Sequence, residues 1–197
     1  MNQLLPFFLF VLVASITPGP TNMLVLSNSA RFGWRAALPL IFGACASAAA
    51  IVLLVGLGLG ELLMRAPTVQ QIMAWLGVGW ISWLAWKLWC SADTSLDSAS
   101  PAMRIGAWGG AGLQLINPKT WMMALAVVSV FAGADAGLAG YGIYALIFLL
   151  VAIPSLILWA AIGRGAVSLL RSNAALRRFN QVMALLLLAS AWSSLLM

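Results

Sequence analysis

The chain has 197 residues, of which ten are Lys or Arg and four are Asp or Glu, and its formal net charge is +6. Hydrophobic residues make up 63% of the sequence and charged residues 7%, and the mean hydropathy is +1.04. So few charged side chains cannot cover the surface of a water-soluble domain of this size. The basic residues form no patch with interleaved aromatic residues, which argues against nucleic acid as a partner. The composition therefore predicts an all-α integral membrane protein.

Apolar stretches follow one another along the whole chain. A helix needs about 20 residues to cross a hydrocarbon core of about 30 Å. Six stretches reach that length, and they cover residues 4–29, 37–60, 69–90, 105–132, 138–162 and 179–196. The sequence predicts one transmembrane domain over residues 1–197, with a first repeat over about 1–90, a polar cytoplasmic loop over about 91–104 and a second repeat over about 105–197.

Two of the predicted spans contain helix breakers near their middle. The first span has Pro18, Gly19 and Pro20, and the fourth has Asn117-Pro118-Lys119 at positions 100 residues further on. Unpaired backbone groups in a bilayer cost several kcal/mol each, so both breaks should face protein or a cavity. Simple proline kinks are the alternative interpretation. Matching breaks predict two inverted three-helix repeats, with broken helices 1 and 4 around a substrate site at the midplane.

Lys119 lies near the centre of the fourth predicted span. A lysine there costs about 2.5 to 3.5 kcal/mol and usually faces a cavity or a partner, unless it snorkels to the interface. No Asp or Glu lies within a predicted span to pair with it. We therefore expect its ammonium, with the free N–H groups of the broken helices, to bind a carboxylate such as that of an amino acid.

The candidate substrate-binding residues are the two breaks and their polar neighbours. Each polar side chain could instead bridge two membrane helices, as Ser, Thr, Asn and Gln often do. The candidates are Thr17, Pro18, Gly19, Pro20, Thr21, Asn22, Gln114, Asn117, Pro118 and Lys119.

Other chemistries lack the residues that they need. The predicted spans contain no carboxylate cluster for a metal ion, and Cys45 and Cys90 lie in separate spans. With no His and no buried acid, no nucleophile and base can be assembled. We therefore expect no enzyme activity, no catalytic residue, no metal and no cofactor. The expected partners are a small-molecule substrate and the lipid bilayer, with a homodimer as an alternative use of the Gly-rich helix faces.

The basic residues also predict an orientation, because short cytoplasmic loops retain Lys and Arg. With both termini outside, Arg65 is the one basic loop residue that lies outside. The predicted cytoplasmic ones are Arg31, Arg35, Lys87, Arg104, Arg164, Arg171, Arg177 and Arg178. Residues 171–180 are accordingly predicted to be a basic cytoplasmic loop facing anionic lipid.

Three segments resemble signatures of the LysE/RhtB family of bacterial amino-acid exporters. "TPGPTNMLVLSNSARFGWRAALPLIFG" is similar to the first signature of this family and "GAGLQLINPKTWMMAL" to the second. "WLGVGWISWLAWKLW" resembles the third span, especially as found in exporters of cysteine and O-acetylserine. The resemblance implies a multi-pass inner-membrane exporter of amino acids or close derivatives that is driven by the proton gradient. It places the Pro-Gly-Pro and Asn-Pro-Lys motifs at the positions already named, and it leaves a homodimer as an alternative to a monomer.

Proton coupling requires a group that titrates in the pathway. With no intramembrane carboxylate and no His, Lys119 is the proton-coupling candidate. A bound carboxylate favours its ammonium form, and this linkage alone favours symport, so the direction of coupling stays open. The rival interpretations are an anion channel and a non-transporting membrane scaffold or helper subunit, in which Lys119 holds an anionic lipid head group.

Overall fold

The computed structural model describes residues 4–90, 104–133, 136–169 and 173–193, and within these ranges the regular structure is helical. The helices are α1 Leu4–Ile16, α2 Pro20–Phe32, α3 Trp34–Leu54, α4 Gly60–Met64, α5 Pro67–Cys90, α6 Ala107–Ile116, α7 Pro118–Ala126, α8 Gly137–Leu169 and α9 Asn173–Ser193. A wider π-type segment, Val55–Leu59, joins α3 to α4, and another, Val127–Ala132, extends α7.

Both predicted breaks are present. The axes of α1 and α2 differ by 55°, and those of α6 and the helix that starts at Pro118 differ by 70°. Trp34–Met64 and Gly137–Ala166 are each long and apolar enough to cross a membrane, and each bent pair adds one further candidate span, so the described residues hold two to four. The prediction of an all-α membrane protein is confirmed, whereas the prediction of six spans in two inverted repeats is not confirmed.

Helices α5 and α9 lie where the third and sixth spans were predicted, but they are not among these candidate spans. Gln70, Gln71 and Lys87 lower the hydropathy of α5. Arg177 and Arg178 lower that of α9, and the predicted sixth span, over residues 179–196, continues past Ser193, where the described part of the chain ends.

One predicted loop is wrong. The described part of residues 171–180 is the first two turns of α9, which begins at Asn173. Ala, Leu and Arg are strong helix formers, so this basic stretch extends the apolar helix towards its N-terminus. Residues 91–103, most of the predicted cytoplasmic loop, lie outside the described residues.

Helix α2 lies at the centre of the bundle, in contact with α3, α8 and α9. Its residues 20–30 are all buried. The side chains of Asn22, Ser27, Asn28 and Ser29 among them donate to backbone carbonyls, since buried polar groups need hydrogen-bond partners. Ser29 Oγ donates to the carbonyl of Ala160 at 2.6 Å, and Asn28 Nδ2 donates to that of Ile105 at 3.2 Å. The second half of the first broken helix is therefore fixed in the core.

Glycines permit the closest helix contacts in this core. A Cβ on Gly110 of α6 would overlap the carbonyl oxygen of Leu40 in α3, and a Cβ on Gly163 of α8 would overlap backbone of α2. Small residues allow membrane helices to approach in this way. Gly110 and Gly163 thus serve packing within the chain, whereas Gly58, Gly106 and Gly112 have no atom within 4 Å of a Cβ position.

Candidate functional site

The two breaks, 100 residues apart in sequence, meet in the structure. The Nζ of Lys119 donates to the backbone carbonyl of Thr17 at 3.0 Å. The stem of Lys119 lies against Gly19, where a Cβ would come within 3.2 Å of Nζ. The first break therefore supplies a partner for the central lysine from its own backbone, which the sequence did not indicate.

Side chains bind the carbonyls that the breaks leave without helical partners. Asn22 Nδ2 donates to the carbonyl of Ser15 at 2.7 Å. Trp121 Nε1 donates to the carbonyl of Leu115 at 2.9 Å. In both cases a residue of the following half-helix reaches back across the break, and the two acceptors are themselves 100 positions apart. Each break is therefore stabilised by a hydrogen bond from a side chain to a backbone carbonyl.

The helix N-termini at the two breaks differ. At α7, Asn117 Oδ1 accepts the Lys119 N–H at 3.2 Å, so the helix is capped by a side chain. At α2, Gly19 offers no side-chain cap and the first residue is a proline. The N–H groups of Thr21 and Asn22 therefore have no partner within their own helix. The α2 N-terminus is the one whose donors can bind an anion.

A short hydrogen-bond network joins three helices behind this N-terminus. Thr120 Oγ1 of α7 donates to Gln114 Oε1 of α6 at 2.5 Å, and Gln114 Nε2 donates to Thr21 Oγ1 of α2 at 2.8 Å. All three side chains are buried. Because a satisfied buried network is rigid, Gln114 fixes the relative positions of the two breaks.

A cavity of about 60 Å³ lies between the breaks and the rest of the bundle. It has room for a few water molecules and is smaller than the roughly 300 Å³ or more of a typical ligand pocket. Of the residues that line it, Lys119 is the charged one, and no Asp or Glu is among them. The predicted candidates in its lining are Gly19, Pro20, Thr21, Asn22, Gln114, Asn117 and Lys119.

The other three candidates lie at the edges of this site. Thr17 and Pro18 are exposed, and the hydroxyl of Thr17 donates to the carbonyl of Val13 at 2.7 Å. Pro118 lines a second cavity of about 280 Å³ on the opposite side of the break, together with Ile116 and Trp121.

The apolar wall of the site was missed from sequence, as were Ser15 and Thr120. One part of this wall is Ala44, Cys45 and Ala48 of α3 and the other is Phe148, Ala152 and Leu156 of α8. Spacings of four residues place such side chains on one helix face. This spacing recurs throughout an apolar chain, so it does not single out these residues.

We expect Trp121→Phe to weaken the second break. The variant keeps an aromatic ring but removes the donor to the carbonyl of Leu115. Leaving that carbonyl without its donor should lower the free energy of unfolding by about 1 to 3 kcal/mol. Thermal unfolding of the purified protein in detergent measures this. Trp108→Phe is the matched control, since Trp108 is 91% exposed, and equal losses in both variants would contradict the assigned role.

Two broken helices that meet around a cavity lined by Lys119, in a chain whose helices are long and apolar enough to cross a membrane, are typical of a membrane-embedded protein of the transporter class. The family can be stated more closely. The chain belongs to the LysE type translocator family, whose sequence model matches residues 12–196. The resemblance seen in the signature segments is thereby confirmed, and membership indicates a transporter and not an enzyme.

Among curated proteins, the chain is similar to two bacterial proteins named cysteine/O-acetylserine efflux protein. It is 27% identical to the one from Salmonella typhimurium over 125 residues, or 64% of this chain and 63% of the relative. It is 28% identical to the one from Escherichia coli K12 over 126 residues, with the same shares. The chain thus matches 63% of the length of these relatives. No solved structure matches it.

Proposed function

We propose that this protein is a secondary transporter that exports amino acids or close derivatives across the bacterial inner membrane. The observation that carries the proposal is the cavity, with Lys119 in its lining, at which two broken helices meet. Membership of a translocator family supports the class of function. The efflux activity in the names of the relatives supports its direction and its substrate class.

The site offers complementary groups to a zwitterion. The uncapped N–H groups of Thr21 and Asn22 suit the carboxylate, since a helix N-terminus carries partial positive charge. The carbonyl groups at the end of α1 suit the ammonium. The wall formed by α3 and α8 would receive the substrate side chain, and its small residues favour a small, uncharged one. We propose that the ten residues predicted from sequence, with Thr120, form the substrate site.

The cavity must widen for an amino acid to enter. The second cavity, behind Pro118, provides space into which α7 can move. We propose that the two breaks act as hinges in two inverted three-helix repeats, over about 1–90 and 105–197. Two observations support the repeat. The breaks lie 100 residues apart, and so do the carbonyls of Ser15 and Leu115, each of which accepts a hydrogen bond from a side chain of the half-helix that follows its break. The proposal includes six spans with both termini outside.

Export against a gradient needs an energy source, and we propose the proton gradient. Lys119 is the candidate coupling group, because it is the charged residue among those that line the cavity. Ionisable residues that face a cavity within the membrane often form proton relays.

Overproduction in cells tests the proposal. Cells overloaded with L-cysteine or O-acetyl-L-serine, or challenged with toxic amino-acid analogues, should show raised resistance and accumulate the compound outside. Control cells carry the empty vector or make an unrelated membrane protein at the same level. No response across the panel would contradict export and would favour a scaffold that binds lipid head groups.

A further inference from the structure

We infer that the ammonium of Lys119 and the α-ammonium of the substrate compete for the backbone carbonyl of Thr17, and that this competition exchanges one proton for one amino acid. The inference rests on the proposed export function and specifies how its site is coupled to protons. It starts from the hydrogen bond of 3.0 Å between Lys119 Nζ and Thr17 O.

The carbonyl of Thr17 is a binding position for a cation. It follows directly on the last residue of α1, where carbonyl groups lack helical partners and the helix dipole is negative. Two nearby backbone carbonyls accept hydrogen bonds from uncharged donors. The carbonyl of Val13 accepts from Thr17 N and Oγ1, and that of Ser15 accepts from Asn22. The donor to Thr17 O is the primary ammonium of Lys119. An amino acid carries the same chemical group.

The cavity has no negative side chain to hold two ammonium groups together. Of the residues from α1, α2, α3, α6 and α8 that line it, Cys45 is the titratable one, and it carries no charge as a thiol. The polar lining is otherwise made of hydroxyl and amide groups. If the substrate ammonium takes Thr17 O, Lys119 loses its acceptor beside a like charge, and both effects favour the neutral amine.

The proton step follows from this exchange. When the cavity opens to the cytoplasm and substrate binds, one N–H bond of Lys119 breaks, the electron pair stays on Nζ and water on that side takes the proton. After the substrate leaves on the outer side, the amine takes a proton from water there and returns to Thr17 O. One proton moves inward for each amino acid that moves outward. Competition thus gives antiport, whereas binding of the carboxylate by Lys119 gives symport.

Calorimetric titration of the purified protein with L-cysteine, in two buffers of different ionisation enthalpy at about pH 6.5, measures the protons released on binding. The wild type should release about one proton per amino acid, and its Kd should fall close to tenfold per pH unit. Lys119→Met should release none and bind more tightly at that pH. Lys119→Arg, whose charge is permanent, should release none and bind at least about tenfold more weakly.

The matched control is Lys87→Met. The chain has two lysines, and Lys87 lies outside the cavity, with Nζ 4.3 Å from the ring centroid of Trp83. This variant should behave as the wild type does. Proton uptake or no release in the wild type, release that persists in Lys119→Met, or weakened binding by Lys119→Met would each overturn the inference. The number of protons that the wild type releases on binding tests the inference even if the Lys119 variants do not fold. Absence of both binding and cellular export would instead contradict the proposed function.

Discussion

The Gly77→Ala variant is expected to lose most of its folded protein. Gly77 of α5 packs on the carbonyl oxygen of Ile116, the last residue of α6, and a Cβ there would overlap that oxygen. Pro118 lies 3.7 Å from the same position. The backbone fixes the position of the added Cβ, and the atom that it meets is a backbone oxygen. No side-chain rotation relieves this overlap, so we expect the free energy of unfolding to fall by about 3 kcal/mol. Yield from membranes and thermal unfolding in detergent measure the loss.

Gly79→Ala provides the matched control on the same helix. No atom lies within 4 Å of a Cβ at Gly79. Replacing a glycine by alanine in a helix interior favours the helix by about 1 kcal/mol. We therefore expect Gly79→Ala to be as stable as the wild type or slightly more stable. Similar losses in the two variants would show that α5 does not pack on the second break in this way.

The Gln114→Met variant is expected to fold but to export at least about tenfold more slowly. Gln114 accepts from Thr120 and donates to Thr21, and so it links the two breaks behind the N-terminus of α2. Methionine keeps much of the volume but leaves both hydroxyl groups without this partner. Each lost buried hydrogen bond costs about 1 kcal/mol, and 1.4 kcal/mol corresponds to a tenfold change. Export per molecule of protein in the membrane measures the effect.

Gln71→Met is the matched control for this substitution. Gln71 is exposed on α5 and does not line the cavity. This variant should export at the wild-type rate. If Gln114→Met also keeps the wild-type rate while remaining folded, the network does not position the transport site.

The breaks, their pairing and the position of Lys119 between them could be predicted from sequence. Prolines, a glycine and a lysine are expensive inside an apolar helix, so each is a strong local signal. A proline recurs after 100 residues, and this spacing predicted that two breaks far apart in the sequence form a pair. The structure confirms that the two breaks meet.

The partner of Lys119 could not be predicted in the same way. The acceptor is a backbone carbonyl, which every residue has, and only the three-dimensional path of α1 selects that of Thr17. The sequence therefore suggested that Lys119 binds the carboxylate of the substrate. The wall formed by α3 and α8 could not be predicted from sequence either. Apolar side chains in a membrane helix can face lipid, another helix or a cavity without any difference in sequence.

The central claim is that amino acids pass through the cavity between the two breaks, and counterflow into proteoliposomes tests it most directly. Vesicles that contain purified protein and unlabelled L-cysteine are placed in a trace of labelled L-cysteine without a proton gradient. We predict saturable uptake by the wild type and by Gln71→Met, and uptake at least about tenfold slower by Gln114→Met. Uptake no faster than in protein-free vesicles, or equal uptake by Gln114→Met and the wild type, would contradict the claim.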